Sequence, residues 1–346
     1  MTNESGSRGS APHLYLLKSE SDSFDETPAV RSLSLDLSTE LRVRIAESGM
    51  DVDDLLARCY FHRFDKGSIL RAAVSGGADS LALVVLAKVA GLEVVAHNVD
   101  HQIRKESSLE ADMVEEQLRP LAVKLVRHKV KVNPGPNLEE RARQARYSTL
   151  PDDISTGHTA DDQVETVLYN LVRGGGLKGL GAMELSVRHP ILGVRKYETD
   201  AICASVGLIP LTDPSNRDPG IVRNRVRNEV IPLLCDVAKR DVVPIIYRTS
   251  VLLRKDQEIV SDVLSKFSPN TLKELRECPP HVASMWIRAK VFEVTDLQLS
   301  WFHTQKCLEV VQGGPAATSL PLGYLLLRKS GSLKVQLPNK ELVNLV

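Results

Sequence analysis

The stretch Ser75-Gly76-Gly77-Ala78-Asp79-Ser80 decides the fold, because it stands between an apolar run at residues 69–74 and another at residues 81–89. The first run has the length of a buried strand and the second that of a helix. Two adjacent glycines allow a tight turn whose backbone amides point at one spot, and the following helix adds the positive end of its dipole. Such a loop favours a polyanion, most naturally a pyrophosphate. The plainer interpretation is a strand-to-helix turn capped by an aspartate or a serine.

Beyond this loop, short apolar runs alternate with amphipathic segments. Strands that alternate with helices at this spacing predict an α/β fold, a doubly wound and mainly parallel sheet of the Rossmann-like type with helices on both faces. Right-handed crossovers would place the loops that follow the strands at one edge of the sheet, where ligands bind. The further predicted strands are residues 92–99, 123–132 and 153–157, and the predicted helices are residues 107–121, 138–150 and 160–172.

The chain of 346 residues is long enough for two domains. Residues 1–34 are rich in Ser, Gly, Pro and acidic residues, and we expect a disordered tail there. Residues 35–66 form a predicted N-terminal helical extension, and residues 67–222 form the α/β domain. A smaller, mainly helical region over residues 223–346 ends in a predicted β-hairpin.

Composition and charge exclude several classes of protein. Apolar residues make up 42% and charged residues 25%, which is typical of a globular chain. The net charge is 0 and aromatic residues are only 4%, which favours neither a strongly basic nucleic-acid binder nor a single-strand binder built on stacked aromatics. Residues 217–255 nevertheless hold 9 basic against 4 acidic residues, a surface that could meet phosphates.

Cysteine usage and hydropathy indicate a compartment. The five cysteines are scattered without a CxxC pair, which is typical of the reducing cytoplasm and not of a disulfide framework or a zinc site. No apolar run approaches the length of a membrane span. We therefore expect a cytoplasmic protein without membrane contact.

Two carboxylates follow the fourth predicted strand. Asp162 and Glu165 are three residues apart and share one helix face, and Thr159 is the expected N-cap of that helix. Paired carboxylates at the ligand edge could bind the ammonium of a free amino acid or act as a base. The plainer interpretation is that acidic residues in a first turn complement the helix dipole.

The SGGADS hexapeptide resembles the PP-loop of the N-type ATP pyrophosphatases, which cleave ATP to AMP and pyrophosphate and activate a carbonyl-type oxygen as an adenylate. Four further segments resemble one branch of that superfamily, the tRNA(Ile)-lysidine synthetases, and the resemblance covers about residues 68–235. The segments are Val99-Asp100-His101-Gln102-Ile103-Arg104, where Gln102 replaces the usual glycine; residues 137–147 (NLEERARQARY); residues 157–166 (GHTADDQVET) leading into residues 173–177 (RGGGL); and residues 213–216 (DPSN) with residues 223–227 (RNRVR).

The resemblance implies a ligase that converts cytidine 34 in the CAU anticodon of tRNA(Ile) to lysidine, which changes codon reading from AUG to AUA. ATP would adenylate the cytidine and release pyrophosphate, and the ε-amine of free L-lysine would then displace AMP. Residues 67–222 would be the PP-loop catalytic domain, and residues 223–346 would contact the tRNA. ATP and Mg²⁺ are the implied cofactors, tRNA(Ile) and L-lysine are the implied partners, and the oligomeric state stays open.

The candidate site residues follow from these motifs. The resemblance assigns Asp162 and Glu165 to lysine recognition and favours a functional role for Arg143 over a salt-bridged helix surface. Asp79 would handle the Mg²⁺ on the ATP phosphates, although it could simply cap its helix. The candidate catalytic residues are therefore Asp79, Arg143, Asp162 and Glu165. The candidate nucleotide-binding residues are Ser75, Gly76, Gly77, Ala78, Asp79, Ser80 and His101, and those for tRNA or substrate are Asp100, Arg104, His158, Arg223 and Arg227.

Some of these side chains have plainer interpretations as well. Arg223 and Arg227 stand at i and i+4 and could clamp RNA phosphates or the nucleotide, or they could lie on a solvated helix face. His101 and His158 each follow a predicted strand at the ligand edge, where a histidine is a candidate catalyst or a satisfied polar residue.

Two other functions stay open at this point. A PP-loop tRNA thiolase would need paired or reactive cysteines, and no cysteine stands near a motif. A nucleotide-binding module without catalysis would leave Asp162, Glu165 and the arginines of residues 223–227 idle.

Overall fold

The computed structural model describes residues 28–65, 67–100, 107–130, 145, 148–212 and 218–346, with the side chains of residues 28–36 and 107–109 outside that description. Three candidate residues, His101, Arg104 and Arg143, lie outside the described residues, as does most of the predicted helix at 138–150.

The N-terminal part of the fold is built on a parallel sheet of four strands, β1 (Ile69–Ala73), β2 (Glu93–Asp100), β3 (Lys124–Lys129) and β4 (Ser155–Thr156). Their order is β3-β2-β1-β4, and each neighbouring pair is parallel. The chain therefore runs from β1 outward to β3 and then returns to the other side of β1. This reversal creates a crevice between the ends of β1 and β4, which is where open α/β sheets bind ligands. The predicted α/β fold class is confirmed.

Helix α3 (Ala78–Val89) forms the centre of the core. Every one of its residues except Asp79 is buried, because the sheet covers one side and two helices cover the other. Those helices are α1 (Pro28–Glu47) and, later in the chain, Lys196–Ser205. The one residue of this helix that is not buried is thus Asp79, a half-buried carboxylate in its first turn.

Helix α1 begins at Pro28, before the predicted boundary at residue 35, so residues 28–34 belong to a helix and not to the expected tail. Proline is favoured at the first position of a helix, because its missing amide has no partner there. Leu41 and Ile45, one helical turn apart, are buried in the same core as α3. After the short helix α2 (Val52–Ala57), this extension therefore packs as part of the α/β core.

Helix α4 (Ser107–Leu118) connects β2 with β3, and α5 (Ala160–Val172) follows β4. The chain continues through α6 (Leu177–Gly181), α7 (Lys196–Ser205), α8 (Val222–Arg225), a π-helical segment (Val226–Val230), α9 (Ile231–Ala238) and α10 (Val243–Lys266). Helix α10 packs on α5 and α6, and it connects the α/β part with the C-terminal region.

The C-terminal region has a core of its own, with the side chains of Trp286 and Ile287 at its centre. It combines helices with an antiparallel sheet in the order β5-β6-β7-β8, and β6 and β7 form the predicted hairpin. The helices are α11 (Leu272–Glu277), α12 (Pro280–Thr295) and α13 (Trp301–Val311), and the strands are β5 (Ala317–Ser319), β6 (Leu325–Lys329), β7 (Ser332–Gln336) and β8 (Leu342–Asn344). In the part of the chain that the structure describes, no helix is long and apolar enough to cross a membrane.

Gly157, directly after β4, allows the closest backbone contact at the crevice. A Cβ atom built on it would lie 2.5 Å from the carbonyl oxygen of Asp79 and 2.9 Å from the amide nitrogen of Ser80. Both neighbours are backbone atoms at the start of α3, so neither can rotate away. The glycine therefore determines how closely the loop after β4 approaches the loop after β1.

We expect Gly157→Ala to lower the free energy of unfolding by about 1–3 kcal/mol, because the two backbones must separate to admit the methyl group. Urea unfolding measures the change. Gly179→Ala is the matched control, since the nearest atom to its Cβ would be the Cβ of Asn170 at 3.7 Å, an ordinary contact. Equal losses of stability in the two variants would contradict this account.

Candidate active site

The loop between β1 and α3 requires glycine at its second position. Gly76 has a φ of +88°, and a Cβ atom on it would lie 2.7 Å from Cδ1 of Leu211 and 2.8 Å from Cγ2 of Val114. Its carbonyl oxygen accepts a hydrogen bond from the amide of Leu211 at 2.9 Å. Gly77 then caps α3 in an extended conformation. The loop is thus held from outside, and its shape does not depend on a ligand.

The same loop presents unused donors. Among the described residues, no acceptor pairs with the backbone amides of residues 75–79, which surround the positive end of the α3 dipole. The Ser80 hydroxyl donates to the carbonyl oxygen of Gly77 at 2.8 Å. The Ser75 hydroxyl lies 3.5 Å from the Ser80 hydroxyl. The unpaired backbone amides at the start of α3 are an arrangement suited to a polyanion.

Asp79 is held by two residues that the sequence analysis did not single out. Lys196 Nζ donates to Oδ2 of Asp79 at 2.7 Å, and the Thr199 hydroxyl donates to Oδ1 at 2.6 Å. Burial raises the pKa of Asp79, although both partners work to lower it. Burial also works to lower the pKa of Lys196, but the Asp79 carboxylate outweighs it and the pKa is raised. The result is a cation seated beside the phosphate-binding loop.

Asp161 positions that cation. Its carboxylate accepts hydrogen bonds from the backbone amide of Lys196 at 2.8 Å and from Nε of Arg195 at 3.0 Å. Arg195 also pairs with Asp241, at the start of the segment that leads into α10. Asp161 thus anchors the N-terminus of α7, and its role in the ADDQ motif is to position other groups.

Asp162 and Glu165 lie on one face of α5, as predicted, with Thr159 as the N-cap. The Thr159 amide and hydroxyl donate to Oδ2 of Asp162 at 2.9 and 2.8 Å. Glu165 is fully buried at 0% exposure, whereas the side chain of Asp162 is 17% exposed. The first two turns of the helix therefore carry, on one face, one accessible and one inaccessible carboxylate.

Arg227, in the π-helical segment, covers Glu165. Its Nε and Nη2 atoms donate to the two carboxylate oxygens of Glu165 at 2.5 and 3.1 Å, and Nη2 also donates to Oδ1 of Asp162 at 3.3 Å. The sequence analysis left open whether this guanidinium clamps phosphates or lies on a solvated helix face. In the structure it binds the two carboxylates, because burial of Glu165 without a cation would be costly.

The two carboxylates differ in acidity. Burial raises the pKa of Glu165 to about 7, even though Arg227 works against the shift. Burial also works to raise the pKa of Asp162, but the charge of His158, the hydrogen bonds from Thr159 and the charge of Arg227 outweigh it and the pKa is lowered. Asp162 is therefore ionised at neutral pH, while Glu165 titrates there.

The other candidate residues are distributed around this centre. His158 Nδ1 lies 2.7 Å from the Thr156 hydroxyl, which also contacts His189, and the charge of His158 acts on Asp162. Arg223 is exposed, and its Nη2 lies 3.3 Å from the Thr166 hydroxyl of α5. Asp100 ends β2 at the same edge of the sheet, beside the part of the chain that contains His101 and Arg104.

Gln163 is a further residue that sequence reasoning missed. Its buried amide nitrogen donates to the carbonyl oxygens of Gly181 and Met183 and to the Ser250 hydroxyl, at 2.9–3.1 Å, and its oxygen accepts from the Met183 amide. One side chain thus connects α5 with the end of α6 and with α10. In the sequence, Gln163 stands out only as a polar residue on the buried face of the helix.

The cysteines do not form a reactive group. All five lie in the described ranges as free thiols. Burial raises the pKa of Cys59, Cys203 and Cys307 to about 12, which disfavours the nucleophilic thiolate. Within the described ranges, no three His, Cys, Asp or Glu side chains gather into a metal cluster either. The thiolase alternative therefore gains no support from the thiols.

Comparisons with known proteins agree with this geometry. Residues 51–234 match the PP-loop domain family. The tRNA(Ile)-lysidine synthase of Nocardia farcinica is 41% identical over 197 residues, which cover 54% of this chain and 62% of that protein. The chain thus spans less than two thirds of this relative. Among solved structures, the U34-tRNA thiolase NcsA of Methanococcus maripaludis, with its [4Fe-4S] cluster, gives a TM-score of 0.43 at 15% identity over 64% of this chain and 80% of that one, which is too low to support an argument.

Two other relatives match over most of their length. The tRNA(Ile)-lysidine synthase of Corynebacterium glutamicum is 32% identical over 277 residues, covering 76% of this chain and 88% of that protein. That of Salinispora arenicola is 33% identical over 311 residues, covering 78% of this chain and 91% of that protein. With its PP-loop, its α/β fold and the ADDQVET helix at the crevice, the chain belongs to the tRNA(Ile)-lysidine synthase family.

Proposed function

We propose that this protein converts cytidine 34 in the CAU anticodon of tRNA(Ile) to lysidine, using ATP and free L-lysine. The observation that carries the proposal is the charge of the crevice. Asp79 pairs with one cation, Lys196, whereas Asp162 and Glu165 share a single guanidinium, that of Arg227. When both are ionised, this cluster has two carboxylates for one arginine, which suits an ammonium group beside a phosphate-binding loop.

The PP-loop accounts for the use of ATP, which membership of the ATP-binding PP-loop family supports. The amides of residues 75–79 and the Ser75 and Ser80 hydroxyls would hold the β- and γ-phosphates. Oxygen O2 of cytidine would attack the α-phosphorus, and pyrophosphate would leave into the loop. Catalysis would come from orientation and from stabilisation of the leaving charge.

Asp79 is the residue that would hold Mg²⁺, since Mg²⁺ is usually bound through one or two carboxylates and the substrate phosphates. The donor set fits, because Asp79 is a lone carboxylate at the mouth of the loop. A bound Mg²⁺ would spread the charge of the triphosphate. The Lys196 ammonium would then leave Asp79 and bind the phosphates, which its flexible side chain allows.

Lysine would bind at Asp162 and Glu165, and Arg227 determines how. Glu165 is covered by Arg227, so an incoming ε-ammonium meets Asp162 first. To reach Glu165 it must displace the guanidinium, which would be free to contact the adenylate or the RNA. Arg227 thus occupies the ammonium site until lysine replaces it.

The target base must leave its stack to reach the crevice, which costs least in a single-stranded anticodon loop. The exposed Arg223 and the region over residues 223–346 are proposed to contact the tRNA phosphates. A cytoplasmic location stays a prediction from the cysteine usage.

Incorporation of labelled lysine into an unmodified tRNA(Ile) transcript with a CAU anticodon tests the proposal, with ATP and Mg²⁺ present. We expect ATP-dependent labelling of this transcript and none of a methionine tRNA. Asp162→Asn should raise the KM for lysine by about 10- to 100-fold, because a charge-assisted hydrogen bond is replaced by a neutral one. A double Ser75→Ala, Ser80→Ala variant should weaken ATP binding instead.

Glu229→Gln is the matched control for Asp162→Asn, since Glu229 is an exposed carboxylate that pairs with Arg225, four residues before it. It should leave the KM for lysine unchanged. Formation of AMP and pyrophosphate without any labelled RNA would overturn the lysine assignment while leaving ATP cleavage intact.

The KM for lysine should depend on pH through Glu165. Below its pKa of about 7 this carboxyl is protonated and no longer adds a negative charge beside Asp162, so the ammonium binds less well. We therefore expect the KM for lysine to fall about five- to tenfold as pH rises from about 6 to about 8, while lysine itself stays a cation. In Glu165→Gln the dependence should disappear, and a profile that survives this substitution would contradict the assignment. Saturating ATP at each pH keeps the nucleotide site filled, so that only the binding of lysine is compared.

A further inference from the structure

A cavity of about 470 Å³ lies where the glycine-rich loop after α5 meets helices α12 and α13 of the C-terminal region. Its volume is in the range of small-ligand sites, roughly 300–1,000 Å³. Gly174 and Gly176 line one side, and Arg288, Trp301, Gln305 and Leu308 line the other. None of these residues belongs to the crevice described above, so the cavity is a separate feature.

Trp301 provides a flat apolar wall that the fold itself does not use. It is one of only two tryptophans, and 75% of it is exposed, whereas Trp286 is 3% exposed in the core. Its backbone is fixed, because it is the first residue of α13 and Ser300 caps that helix by accepting the His303 amide at 3.3 Å. A large aromatic ring left in water on a rigid backbone is a surface for stacking.

Arg288 provides an unused cation in the same cavity. It is half-buried, and within the described residues its guanidinium has neither a hydrogen bond nor an ion pair. The guanidinium lies directly against Gly176, where a Cβ atom would collide with it. A guanidinium without a partner, beside an exposed indole and the amide of Gln305, offers donors to an anion or to the edge of a base.

We propose that this cavity binds one unstacked base of the RNA substrate together with its phosphate. Proteins read single-stranded RNA by stacking bases on aromatic rings and by hydrogen-bonding their edges, and the three side chains supply these elements. This inference rests on the proposed function for the presence of an RNA substrate. Helix α5 has 13 residues, so at about 1.5 Å per residue its two ends are about 20 Å apart. One RNA can therefore contact the carboxylates near the start of α5 and the cavity beyond its last turn.

The affinity of the full chain for a fluorescently labelled tRNA(Ile) transcript tests the site, measured by anisotropy at fixed salt. Trp301→Ala and Arg288→Gln should each weaken binding about tenfold, which corresponds to about 1.4 kcal/mol. Phe302→Ala is the matched aromatic control, since Phe302 is the exposed neighbour that does not line the cavity. Lys290→Gln is the matched charge control on the same helix, where Lys290 pairs with Glu293. Both controls should stay within twofold of the unsubstituted protein.

One kinetic and one optical measurement separate a binding role from a loss of structure. At saturating tRNA the two cavity variants should retain the kcat for lysine incorporation, with only the KM for tRNA raised. RNA should quench the fluorescence of the exposed Trp301, and this quenching should persist in Phe302→Ala.

Unchanged tRNA affinity in Trp301→Ala and Arg288→Gln would overturn the cavity proposal. The proposed function would stay intact if the unsubstituted protein still incorporates lysine. Equal losses in the controls would overturn it as well, since the effect would then be one of general charge or surface. Failure of the unsubstituted protein both to bind the transcript and to incorporate lysine would overturn the proposed function and this inference together.

Discussion

The ion pair between Arg227 and the buried carboxylate of Glu165 is the contact on which the site depends. A carboxylate at 0% exposure is tolerated only with a cation and good hydrogen-bond geometry, and Arg227 supplies both through two donors. The contact joins α5 with the π-helical segment that begins the C-terminal region. The segment is π-helical, and such turns are rare and often lie at functional sites.

Helix α5 organises the rest of the crevice through consecutive side chains that face different directions. Asp161 holds the start of α7 and so places Lys196 beside Asp79. Gln163 holds α10, and Asp162 and Glu165 hold Arg227. The residues of the ADDQVET motif thus mostly make structural contacts. These contacts bring the groups of the crevice together. Of the three carboxylates Asp79, Asp162 and Glu165, the first two are partly exposed and open to a ligand, and the third is not.

Local patterns in the sequence predicted the parts of the site that depend on neighbouring residues. The apolar run before SGGADS gave β1, the paired glycines gave the phosphate-binding loop, and Thr159 capped α5 as its spacing required. The partners of these groups come from distant segments, and no periodicity reveals them. Lys196 is 117 residues from Asp79, and Arg227 is 62 residues from Glu165. The start of α1 at Pro28 was missed because the composition of residues 1–34 predicted a disordered tail.

A crystal structure with L-lysine and a non-hydrolysable ATP analogue bound tests most directly the claim that Arg227 occupies the ammonium site. The account predicts the ε-ammonium within hydrogen-bond distance of Asp162 and Glu165, Arg227 displaced from Glu165, and Lys196 turned from Asp79 to the phosphates. Arg227 still paired with both oxygens of Glu165, with lysine bound elsewhere, would contradict it.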